Sequence, residues 1–387
     1  MSGKKAFVIG PGFIGWNVLD LLLSDGYAVT GYVRRKEHGT QLAASGASVI
    51  IGDLEDSSKI TEQVLQHDIT FHTATADHLP SVEAVLEGIK QRAAKGLLTT
   101  FIHTSGTSVL DDGSFNAYKS ERIYYDNKRS EIDSVPDDAP HRPIDLAIVK
   151  AQNELGDKAK IAIMIPPLIY GFNPNHGRLT IQIPTLTRFA LKHGYAAFVG
   201  KGQGVESNIH VMDLARAYIV LLHHLEKVTP KDTLENPYYF CECTGDNEPS
   251  WHEVARVIGE GLYKAGKIKD PEPRELMKDL WGDVFADFTG AVIGLNSRSR
   301  ALRLRELGWK PTEKDWKSSY LEDELPEILK EEQGDFAGYK GVVPSKQYRK
   351  VINATYTITN SNALSSMGQA YFICLSLKTD KRLTNSW

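Results

Sequence analysis

The first hundred residues switch regularly between two hydrophobic periods. Residues 5–10, Lys-Ala-Phe-Val-Ile-Gly, are a short apolar run closed by glycine, the pattern of a strand buried on both faces. Residues 13–25 then set Ile14, Val18, Leu21 and Leu22 at helical spacing and stop at Asp25-Gly26. The exchange repeats: strands over 27–33, 47–51, 68–73 and 98–103, helices over 38–45, 57–66 and 80–95. Such alternation predicts parallel βαβ units and an α/β fold with a doubly wound parallel sheet of Rossmann type.

Residues 105–140 are polar and turn-rich, and a helix over 143–156 with a strand over 160–165 completes the first domain, 1–165, to whose sheet later segments can add. Past Pro166-Pro167 the alternation loosens. Helices near 212–226, 250–265 and 313–331, separated by proline-bearing loops, predict a smaller C-terminal substrate lobe over 166–332. The remainder, 333–387, is an irregular tail with one candidate strand at 371–377.

Gly10-Pro11-Gly12-Phe13-Ile14-Gly15 is a G-x-G-x-x-G between the first strand and the first helix, the context in which that motif binds a dinucleotide. Gly10 permits the tight turn, Gly12 lets backbone approach a pyrophosphate, and Gly15 lets helix and strand pack closely. The helix then offers free N–H groups to the anion. At the end of the second strand, where a carboxylate would accept from the ribose of NAD, stand Arg34 and Arg35. Guanidinium forks suit the 2′-phosphate of NADP, although a solvated basic turn would read the same way. Asp53, after the third strand, is placed to accept from the adenine amine or to cap the next helix. Ala74 and Thr75, after the fourth, are small enough to wall the nucleotide.

With these motifs the chain resembles the extended or atypical short-chain dehydrogenases/reductases of the NAD-dependent epimerase/dehydratase type, and among them uncharacterised fungal NAD(P)-binding proteins. The resemblance spans roughly residues 5–325. Ile165-Pro166-Pro167-Leu168-Ile169-Tyr170-Gly171 is similar to the family segment at the nicotinamide end, which implicates Pro167. Residues 208–217 resemble the strand-to-helix step that anchors the substrate lobe, and 307–311 the family's C-terminal helix end.

The resemblance implies a Ser or Thr that polarises a carbonyl, a Tyr that moves its proton, and a Lys four residues later that lowers the Tyr pKa. Lys150 followed by Glu154 matches the lysine's surroundings and implies contact with the nicotinamide ribose, yet the tyrosine position is then Leu146. The serine position falls on Gly106, beside Ser105, Thr107 and Ser108. The candidates for the missing proton donor are therefore Tyr125, Tyr170, or a water held by Ser105 or Thr107. Tyr124-x-x-x-Lys128 has the right spacing but precedes the proline-rich loop and reads as coincidence.

Composition narrows the classes. A net charge of −4 gives no basic face for nucleic acid. Three cysteines cannot frame a disulfide scaffold and fit a reducing compartment, and no segment has the length and apolarity of a membrane span, so a cytoplasmic protein is expected. His210, His223, His224 and the Cys241-x-Cys243 pair lack metal-ligand spacing. Three functions stay open: an NADP-dependent oxidoreductase acting on a small carbonyl or alcohol with an unusual proton donor, a non-catalytic NAD(P) sensor of the NmrA type, and a sugar-nucleotide epimerase or dehydratase. A homodimer through helices 80–95 and 143–156 is a further family-level expectation.

Overall fold

Seven parallel strands make the central sheet: β1 Lys5–Ile9, β2 Ala28–Val33, β3 Ser48–Ile51, β4 Ile69–His72, β5 Thr99–Thr104, β6 Ala159–Ile165 and β7 Tyr238–Phe240. Their order is β7-β6-β5-β4-β1-β2-β3. β4, β5 and β6 are buried at every residue, because helices cover both faces and no strand position is left to water. The chain leaves β1 toward β2 and β3, then returns to the other side of β1 as β4. That reversal opens a crevice at the carboxyl ends of β1 and β4, where ligands of open α/β sheets bind.

The computed structural model describes residues 3–243, 245, 247–331 and 336–339, all within one compact unit; the candidate strand at 371–377 lies outside them. The helices between strands are α1 Gly15–Ser24, α2 Lys36–Ala44, α3 Ser57–Gln66, α4 Leu79–Ala94 and α5 Arg142–Leu155. Each sits within a few residues of its predicted span, since buried stripes such as Val18, Leu19 and Leu22 set both period and phase. The last sheet strand, β7, comes from well beyond residue 165, so the two segments of chain share one sheet.

Beyond the sheet, Leu168–Tyr170 pairs in parallel with Asn208–His210, and the helices Gln182–His193, Val211–Lys227 and Trp251–Lys264 follow. The first of these three is absent from the sequence reading. The predicted helix at 313–331 is Trp316–Ser319, a π turn at Tyr320–Glu324, and Leu325–Lys330. The wide turn leaves the buried Glu324 carboxylate to accept from the Gly171 N–H (3.0 Å). Among the described residues no helix is long and apolar enough to cross a membrane. Ile144 and Ile148 are buried in the core, so that face of α5 is spent on the sheet rather than offered to a second copy.

Candidate active site

The glycine turn closes the crevice from below. Gly10 has φ +76°, and a Cβ there would collide with the Ala74 backbone. A Cβ on Gly15 would strike the Thr73 hydroxyl and come within 2.8 Å of the Gly10 carbonyl. Gly12 differs: nothing lies nearer to its missing Cβ than the Gly10 carbonyl at 3.8 Å. Two glycines are thus required by packing and the third faces open space. α1 begins above it with no side-chain cap and no acidic residue in its first turn. An open backbone face under an uncapped helix start is what a dinucleotide pyrophosphate needs, so these residues fit that group.

The β4–α4 and β5 loops form the walls. Ala74 packs on Gly10, and the Thr75 hydroxyl accepts from the Asp77 N–H (3.1 Å). Ser105 N–H donates to Met164 and Thr107 N–H to Pro166 (2.8 and 3.0 Å), fixing the chain after β5 against the end of β6. The three hydroxyls there diverge. Ser105 is buried and donates to Asp145 (2.9 Å); Thr107 is buried against Ser297 (3.0 Å). Ser108 is half-buried, and its Oγ lies 2.6 Å from His141 Nε2.

His141 is the centre of the arrangement. It caps the start of α5 with φ +65°, a left-handed conformation that costs a non-glycine residue about 1–3 kcal/mol and tends to persist at functional sites. The following Arg142 is buried and donates to the Tyr238 hydroxyl (2.9 Å), and Pro143 sets the first turn, so the helix start is held firmly. His141 Nδ1 meets Asp77 Oδ1 at 2.8 Å, and the side chain keeps 18% exposure. A Cβ on Gly106 would sit 3.1 Å from His141 Nε2, so the glycine leaves room for the imidazole. Burial works against a charge on His141, but the Asp77 carboxylate outweighs it and the imidazole pKa is raised. Asp77 is correspondingly held below the usual carboxylate range, its burial outweighed by His141. Asp145, one turn along α5, is pushed up to about 7 by burial, against the pull of His141 and the Ser105 hydrogen bond.

Residues 6–235 match the family model described as the NAD dependent epimerase/dehydratase family. The chain belongs to that family. Oxidase ucsJ of an Acremonium species is 31% identical over 337 residues, covering 80% of this chain and 93% of its own. An uncharacterized protein of Schizosaccharomyces pombe is 26% identical, over 80% of this chain and 95% of its own. The solved UDP-glucose 4-epimerase of Thermotoga maritima superposes with a TM-score of 0.58 at 17% identity, covering 82% and 96% of the two chains. As a family member the chain is an NAD(P)-dependent oxidoreductase with a nicotinamide cofactor.

The resemblance implies a tyrosine and a lysine four residues apart on this helix. Its inward side carries Asp145, with His141 four residues earlier at the N-cap, rather than Leu146 and Lys150. The Lys150 side chain is 80% exposed and its nearest carboxylate is Glu154 at 4.0 Å. The helical stripe Ile144, Ile148, Ala151, Leu155 faces inward and turns residue 150 to solvent. That stripe was the available signal. The buried Tyr170 hydroxyl donates to the Lys314 carbonyl (2.9 Å), and burial drives its pKa far upward. Tyr125 lies under the Lys128 ammonium (4.7 Å) in a strand paired with Ser299–Arg300, and makes no hydrogen bond to Ser105, Ser108 or His141. Thr107 and Ser105 are buried, with their hydroxyls spent on Ser297 and Asp145.

The remaining nucleotide candidates surround the turn. Phe13 and Ile14 are half-buried within it, and Pro167 is buried beyond β6. Arg34 and Arg35 stand exposed after β2, neither in an ion pair among the described residues. Asp53 does not cap α3, whose N-cap is Asp56; its carboxylate accepts from the Glu55 N–H (3.2 Å).

Proposed function

We propose that this protein is an NADP-dependent oxidoreductase interconverting a small carbonyl and its alcohol, with His141 as the group that gives and takes the proton. The observation that carries the reading is the chain Asp77–His141–Ser108, anchored over Gly106, with Asp77 three residues past the Ala74 that packs on Gly10. Bound NADPH supplies the hydride in the reducing direction. Asp77 holds the imidazole through Nδ1 and favours its protonated form. His141 Nε2–H then donates toward Ser108 Oγ, and the hydroxyl of the half-buried Ser108 hands a proton to the substrate oxygen. In the oxidising direction neutral His141 withdraws it by the same path. A positioned donor of this kind contributes roughly two to four orders of magnitude in rate.

The preference for NADP is supported by Arg34 and Arg35, two guanidinium groups in no ion pair among the described residues, with no carboxylate at residues 34–36 to meet a ribose hydroxyl. Arg34→Asp, or the double change to Ala, is expected to weaken NADPH binding far more than NADH binding. Equal losses would remove the cofactor preference from the reading.

The test of the chemistry is turnover of a panel of small aldehydes and ketones with NADPH, followed by absorbance. His141→Gln should lower kcat about a hundredfold or more while NADPH affinity changes less than about threefold, the mark of an interaction made in the transition state. An undiminished kcat in His141→Gln would overturn the assignment. NADPH binding without turnover of any substrate would favour the sensor.

A further inference from the structure

After the strand Leu168–Tyr170 the chain crosses the outer side of α1 before entering Gln182–His193. The crossing is tied down at two points. Asn173 donates to Asn17 Oδ1 (2.6 Å), and His176 Nε2 meets Asp20 Oδ2 (2.7 Å) while its ring stacks on Trp16 at 4.1 Å between centroids. A bridge between Asn173 and Arg178 closes the loop and brings the Arg178 guanidinium to 5.3 Å from the Trp16 ring centroid. Trp16 is the residue after Gly15. Its other neighbour is His38 (5.1 Å), three residues past Arg35 on the first turns of α2. Arg178 and the start of α2 therefore meet over one indole.

The charges there do not balance. Neither Arg35 nor Arg178 has a carboxylate partner among the described residues, and Asp20, the acidic residue of α1, is taken by His176. Arg178 Nε is buried with no hydrogen-bond partner. Burial, and then the nearby Arg35, weigh against the Arg178 charge, and His38 is pushed down to about 4 by burial followed by Arg178 and Arg35. Holding a half-buried guanidinium with an unspent donor beside a second like charge is costly unless an anion sits between them.

We propose that Arg178, carried on the loop after Leu168–Tyr170, is the second clamp on the 2′-phosphate of NADP, opposite Arg35. This rests on the NADP reading above. Arg35 reaches the phosphate from the end of β2 and Arg178 from over α1, held at its angle by Trp16 and the Asn173–Asn17 and His176–Asp20 ties. Two forks from different elements bind a phosphate more selectively than two neighbours on one turn, since each fixes separate oxygens.

The test compares dissociation constants of the full chain for NADPH and NADH, and for 2′,5′-ADP and 5′-ADP. Arg178→Gln is the main variant, because it keeps a planar group over Trp16 without the charge. A charge-assisted contact of this kind predicts a loss of about tenfold for NADPH and 2′,5′-ADP, with NADH and 5′-ADP within about twofold. Arg178→Lys should recover part of that loss. Equal losses for NADPH and NADH would assign Arg178 to the pyrophosphate or to packing, and overturn the proposal, as would an unchanged NADPH affinity. If Arg35→Ala loses the NADPH preference and Arg178→Gln keeps it, this proposal falls and the NADP reading stands. If the unaltered protein binds NADPH and NADH alike, both fall.

Discussion

Gly12→Ala and Gly15→Ala add the same carbon three residues apart and should have opposite consequences. At Gly15 the new Cβ meets the Thr73 hydroxyl and the Gly10 carbonyl at 2.8 Å. Neither can retreat: the hydroxyl donates to the Gly10 carbonyl (2.9 Å), and that carbonyl also accepts from the Gly12 N–H (2.7 Å). Overpacking of this type costs about 1–3 kcal/mol, more than the ~1 kcal/mol that alanine gains over glycine in a helix. Gly15→Ala should therefore melt lower by roughly 1–3 °C, since ~1 kcal/mol shifts a fold of this size by only about 1–2 °C. At Gly12 the Cβ has no protein atom within 3.8 Å, so the cofactor-free protein should be unchanged or stabilised by about 0.4–1 kcal/mol. Yet the same methyl fills the face that a pyrophosphate approaches, and NADPH affinity should fall at least about tenfold, ~1.4 kcal/mol. The assay is thermal melting with and without NADPH, beside a fluorescence titration. In Gly12→Ala the melting temperature should be kept and its rise on adding NADPH lost. A Gly12→Ala protein that binds NADPH as before, or a Gly15→Ala protein that melts unchanged, would refute this division of roles.

Lys150→Ala should leave NADPH affinity within about twofold and stability within about 0.5 kcal/mol, because its one ion pair is exposed and long; a selective loss of cofactor binding by titration would return Lys150 to the site. Asp145 gives a pH dependence. Its folded pKa of about 7 lies above the unfolded value of 3.8, so the folded state binds the extra proton and stability falls as pH rises through that window, by about 1.4 kcal/mol per unit at most. The raised His141 pKa adds a loss of the same sign as pH passes through it. Asp145→Asn, which keeps an acceptor for Ser105, should flatten the decline, and denaturant unfolding at pH 5 and pH 8 would show an unaltered slope if the carboxyl were ionised throughout. Asp77→Asn should lower the His141 pKa and move the acid-requiring limb of the reduction rate to lower pH; an unmoved pH–kcat profile would separate Asp77 from the proton path.

The sequence by itself determined the sheet, the turn and the family. Stretches such as 6–9 and 161–165 are apolar throughout because both faces are covered, and the helices between them carry their own period, so both are local properties. The three glycines are legible for the same reason, since a turn between strand and helix is written in consecutive residues. Only the tertiary structure decided which side chains come together at the candidate site. Lys150 matched a motif by spacing, but the phase of α5 against the sheet is set by Ile144, Ile148 and Leu155 packing inward, and that phase selects His141 and Asp145. Nothing near His141 in the chain announces a role. Its partners Ser108 and Asp77 lie 33 and 64 residues away, on loops after β5 and β4, and meet only because parallel strands bring their carboxyl ends to one edge. Arg178 and Arg35 are farther apart still and converge because a loop from beyond β6 crosses α1. Local hydrophobic period fixes elements, while the assembly of a site depends on contacts between distant segments that no single stretch of residues encodes.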